Sequence, residues 1–102
     1  FEMATMAPKI SATQAMEWGL VNRVVAAEGL DEEVAKVADY YAQAPTMAIG
    51  MIKKMLNKAG HSDLQTMLQY EAYCQEIAGR SNDYREGVAA FNEKRKPSFK
   101  GN

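Results

Sequence analysis

Along most of the chain, apolar residues return every three to four positions, the period of an α-helix with one buried stripe. Leu30, Val34, Val37, Ala38 and Tyr41 form one such stripe, and Met47, Met51, Ile52, Met55 and Leu56 form a second. Leu64, Met67, Leu68, Tyr70, Cys74 and Ile77 make a third set, broad enough to predict contact on more than one side. Tyr84, Val88 and Phe91 make a fourth, narrower stripe. The punctuation agrees with this reading. ISATQAMEWG predicts a short helix, with Ser11 and Gln14 spaced as a capping box and Gly19 free to take the left-handed turn that closes it. Ala44-Pro45 breaks one helix and starts the next near Thr46. Ser62 and Gln65 repeat the capping-box spacing, Gly60 and Gly79 mark helix ends, and Ser81 or Asn82 can cap the last helix, which Pro97 prevents from continuing. FEMATM has the mixed apolar character of a helix already under way.

Only LVNRVV reads as a strand, because its β-branched residues favour extended backbone. A strand without a neighbour leaves its N–H and C=O groups unpaired, so this segment needs a partner from elsewhere. The pattern therefore predicts a mainly α protein, a small orthogonal multi-helix domain of four or five helices with one short orphan strand.

Composition narrows the function. The chain has 102 residues, enough for one domain but short for an enzyme with its own deep pocket. Its formal net charge of -1 provides no global positive field for nucleic acid. No apolar run approaches the length of a membrane span, and the first residues lack the character of a signal peptide. A single cysteine, Cys74, excludes an internal disulfide and fits a reducing, cytoplasmic compartment.

Dinucleotide, P-loop and common zinc motifs are missing. His61 stands alone in a loop, Cys74 lies on an apolar stripe, and Glu71 and Glu76 share no helix face. Asp83 and Glu86 lie at the start of the last helix, where capping explains them. Met47, Met51 and Met55 suit packing. None of these residues forms a catalytic or metal site. The basic tail is different. Phe91 and Lys94 are three residues apart, so on a continuous helix they project from one face. A ring beside an ammonium suits a ligand with a flat base and a phosphate. Cations at a helix C-terminus also favour the helix with no ligand present.

Two segments carry a family resemblance. KISATQAMEWGLVNRVV resembles a segment of the crotonase (enoyl-CoA hydratase/isomerase) superfamily close to ISAxxAxxxGLVxxVV. SNDYREGVAAFNEKRKPSFKG resembles that superfamily's C-terminal (S/T)xDxxEGxxAFxEKRxPxFxG signature. Their order and separation fit, and the likeness extends over essentially the whole chain. It implies that residues 1–102 are the C-terminal helical region of such a protein, involved in trimerisation and covering CoA. Residues 1–25 would join the missing ββα spiral core, 30–96 would form the helices and 97–102 the tail. The core would carry the oxyanion hole and the acid/base carboxylates, so this segment alone is expected to be inactive and to hold no catalytic residue.

The resemblance further implies that Phe91 and Lys94 contact the adenine and phosphate end of CoA, often CoA held by a neighbouring subunit. Arg95 and Lys96 would add field near the phosphates. The expected partners are an acyl-CoA substrate, the missing N-terminal core and further copies in a trimer or hexamer. CoA enters as part of the substrate rather than as a separate cofactor. GRSNDYREGVAAF looks most like ring-modifying isomerases of phenylacetyl-CoA breakdown and like short-chain enoyl-CoA hydratases. The full protein is expected to be a hydratase or isomerase of fatty acid metabolism, with hydratase the first choice. The alternative is a free-standing helical interaction module whose basic tail engages an acidic partner.

Overall fold

Helix is the only regular secondary structure in the computed structural model, which describes residues 1–102. Six α-helices and one 3₁₀ turn succeed one another, and the chain divides into two compact units, Phe1–Ala35 and Lys36–Asn102. No helix is long and apolar enough to cross a membrane.

In the first unit, α1 (Glu2–Met6) is a short helix, and α2 (Ala12–Glu17) is capped as the sequence predicts. The Gln14 N–H donates to Ser11 Oγ at 3.1 Å, satisfying one of the donors that a helix start leaves open. Gly19, at φ 72°, closes the other end. Its N–H donates to the Met16 carbonyl at 3.0 Å, and the Leu20 N–H donates to the Ala15 carbonyl at 2.9 Å, the paired closure that a left-handed residue permits.

The expected strand is not formed. Residues 20–26 run without regular structure, and Leu20, Val21, Val24 and Val25 stay exposed. Extended propensity is insufficient here because no second strand offers a ladder of donors and acceptors. Arg23 instead pairs with Glu33. A 3₁₀ turn at Ala27–Gly29 then leads into α3 (Leu30–Ala42), whose first turn carries Asp31, Glu32 and Glu33.

The second unit contains the main packing. After Pro45 come α4 (Thr46–Ala59), α5 (Leu64–Gly79) and α6 (Asn82–Asn92), with α4 against α5 and α5 against α6. The cap of α5 lies one residue beyond the expected Ser62. Asp63 Oδ1 accepts the Thr66 N–H and Oδ2 accepts the Thr66 hydroxyl, both at 2.8 Å. A carboxylate that accepts two donors is a better cap than a hydroxyl that accepts one. On α6 the cap is Ser81, whose Oγ accepts the Tyr84 N–H at 3.0 Å.

The core of this unit is thin. Cys74 and Ala90 are its buried apolar residues, flanked by half-buried Met51, Met55, Met67 and Tyr70. A gap of about 110 Å³ bordered by Met51, Met55 and Cys74 remains between α4 and α5. The outward apolar positions are open: Leu56 is 71% exposed and Leu64 74%. This much apolar exposure is unusual for a monomeric surface.

Beyond α6, residues 93–102 turn back and run along it. Gly87 on α6 leaves room for the Phe99 ring, which would lie 3.7 Å from a Cβ at that position. Gly101, at φ 79°, packs so closely on α4 that a Cβ there would come 2.4 Å from Thr46 Oγ1. Both the conformation and the space require glycine. The Gly101→Ala substitution is expected to loosen the end of the tail and cost about 1–2 kcal/mol. Hydrogen exchange should report this as faster exchange at the Lys100 and Gly101 amides, with α5 unchanged.

Candidate functional site

The inner side of α6 presents Asp83, Glu86, Gly87 and Ala90, positions i, i+3, i+4 and i+7 of one helical face. Two are acidic and two are small. The small residues admit a chain alongside, and the acidic ones hold it.

Asp83 is 5% exposed and is fully engaged. Its Oδ1 accepts the Lys100 N–H at 2.7 Å and its Oδ2 accepts the Gly101 N–H at 2.8 Å. Its own N–H, one of the open donors of the α6 start, donates to the Asn102 carbonyl at 3.0 Å. One turn later Glu86 receives Arg95 end-on, with Nη1 donating to Oε1 at 2.6 Å and Nη2 to Oε2 at 2.9 Å. The Ser98 N–H adds a third bond to Oε1 at 2.7 Å. Two parallel bonds between a guanidinium and a carboxylate are the strongest ion-pair geometry available to side chains. The Arg95 hydrogen bonds, followed by the Ser98 N–H, lower the Glu86 pKa to about 2. Arg95 is raised in turn, by Glu86 first and Glu93 second.

The predicted ligand-binding pair lies next to this strap. Phe91 is the last large residue of α6 and is 83% exposed. It borders an apolar groove of about 390 Å³ together with Pro45, Tyr84, Val88 and Phe99. Lys94 does not share the helix face assumed from its spacing, because α6 ends at Asn92. It occupies the left-handed position past the helix end, at φ 53°. The Lys94 N–H donates to the Phe91 carbonyl at 3.2 Å and the Arg95 N–H to the Ala90 carbonyl at 3.0 Å, the same closure that Gly19 gives α2. A lysine bears a cost of about 1 kcal/mol in that conformation. Arg95 is committed to Glu86 and Glu93, whereas Lys94 is exposed and makes no ion pair.

The remaining candidates stay separate. His61 is exposed in the loop before α5, Cys74 is a buried free thiol, and Glu76 pairs with Arg80 on the surface. The strap itself went unrecognised in the sequence. Its signal was the acidic and small alternation Asp83, Glu86, Gly87, Ala90, followed by Arg95 and Gly101.

Comparison with known proteins identifies the family. The sequence profile of the enoyl-CoA hydratase/isomerase family matches residues 1–102. The chain belongs to this family. It is 43% identical over 99 residues to the 1,2-epoxyphenylacetyl-CoA isomerase of Escherichia coli K12, covering 97% of this chain and 38% of that protein. It is 32% identical over 102 residues to methylmalonyl-CoA decarboxylase of the same organism, covering 98% and 39%. The crystal structure of an enoyl-CoA hydratase from Mycobacterium smegmatis superposes with a TM-score of 0.88 at 31% identity, covering 97% of this chain and 38% of that one. The chain thus spans about 38% of the length of the first of these family members, and it matches their C-terminal helical region.

Two outcomes follow from the strap. Because the folded Glu86 pKa lies below the ordinary 4.5, its contribution is complete above that value and is lost as pH falls toward about 2. Protection of the Ser98 amide should fall over this window in wild type, and Glu86→Gln should remove the dependence. Lys94→Gly should raise stability by about 1 kcal/mol in thermal unfolding by relieving the left-handed conformation.

Proposed function

We infer that this family member forms part of an acyl-CoA-processing enzyme. In this reading, residues 1–102 supply subunit contacts and one wall of the CoA site, and the groups that make and break bonds lie on a larger catalytic body. The open apolar faces of α3, α4 and α5 support a role against such a body or against further copies in a trimer or hexamer. Three relatives named for an isomerase, a decarboxylase and a hydratase share this one region. That sharing fits a segment that handles the common CoA moiety while the reaction is selected elsewhere. Isomerisation or hydration of an enoyl-CoA is the chemistry assigned to the whole.

The observation that carries the proposal is the pairing of an exposed Phe91 with an ion-pair-free Lys94 at the same helix end. The ring offers a stacking surface for adenine, and the ammonium acts as a point charge toward phosphate. Arg95 cannot readily take that role, since leaving Glu86 would strand a carboxylate that has lost its two best donors.

Titration of the full-length protein with CoA tests this. Phe91→Ala is expected to weaken binding about ten-fold, the loss of one base stack, and Lys94→Glu by at least as much. Unchanged affinity in both variants would reject the assignment.

A further inference from the structure

The geometry points to Glu86 and Arg95 as positioning residues for Lys94. This deepens the CoA-binding reading and rests on it. Lysine has no preference for the left-handed region, and a helix end without glycine ordinarily frays. Residue 94 is nevertheless fixed there: its own N–H donates to the Phe91 carbonyl, and the side-chain bonds around it all come from Arg95. Its Nε donates to Glu93 on one side of Lys94, its Nη1 reaches the Lys96 carbonyl at 3.3 Å on the other, and its fork returns to Glu86 on α6. The Arg95 N–H also closes the helix onto the Ala90 carbonyl.

The single guanidinium therefore brackets the lysine from residue 93 to residue 96 and anchors the bracket to a rigid helix two turns back. The Ser98 N–H shares Glu86 Oε1 with Arg95 Nη1, a further bond that keeps the carboxylate oriented for Arg95. The result is a division of labour among adjacent cations: one is neutralised to hold the turn, and its neighbour is left charged and exposed. A pre-placed ammonium loses less freedom on meeting a phosphate than one on a frayed end, so the pair contributes to affinity without touching the ligand.

The test is a thermodynamic cycle in the full-length protein, read by calorimetric titration with CoA. The double variant Glu86→Gln/Arg95→Gln removes one negative and one positive charge, leaving the net field unchanged. It is expected to raise the Kd for CoA about five-fold at unchanged stoichiometry. Lys94→Ala should then weaken binding clearly in the wild-type background and much less in the double variant. Arg95→Lys, which keeps the charge but loses the fork, should fall between wild type and the double variant and serves if the latter folds poorly. An equal effect of Lys94→Ala in both backgrounds, or a drop in stoichiometry with Kd unchanged, would overturn the positioning role while leaving the CoA reading intact. No effect of Lys94→Ala in wild type would overturn both.

Discussion

Two carboxylates one helical turn apart organise the C-terminal end of this chain. Asp83 and Glu86 together accept three backbone N–H groups and both arms of a guanidinium from residues 95–101. Bonds to an ionised acceptor are shorter and stronger than those between neutral groups. Without them the tail has little to hold it, since its apolar anchorage reduces to Phe99 over Gly87 and the close approach of Gly101 to Thr46. The strap is fixed by polar bonds rather than by burial, which is how ten residues with four basic side chains can lie ordered on a helix.

The same economy appears in the helices. The second unit buries few apolar side chains, and the largest ones on α3, α4 and α5 face outward. A chain that folds only to stabilise itself would turn these inward. The chain belongs to the enoyl-CoA hydratase/isomerase family and spans 38% of the length of a related isomerase. A thin internal core and outward apolar stripes occur together in it.

Charge is distributed with similar selectivity. A cluster of four cations reads as a uniform basic patch in one dimension, yet the fold treats its members differently. Arg95 is consumed in an ion pair, whereas Lys94 carries a strained backbone and an unpaired ammonium. The strain at Lys94 is local to the turn that closes α6 and is not imposed by side-chain packing, since the residue is exposed.

The sequence by itself determined everything that closes within one turn of helix. The amphipathic stripes, the Ser11 and Ser81 caps, the break at Pro45 and the stop at Gly19 depend on contacts three to six residues apart, and these are written in local order. The two family signatures were legible for the same reason, as fixed spacings. Tertiary structure decided what local order cannot contain. Val21, Val24 and Val25 favour a strand, but a strand exists only when a second one faces it. Lys94 looked like a helix residue because no glycine marks the end, and the turn there is tied to α6 by the return of Arg95 to Glu86, nine positions back. Bonds across such separations depend on where the chain turns, and that turn is a property of the folded whole.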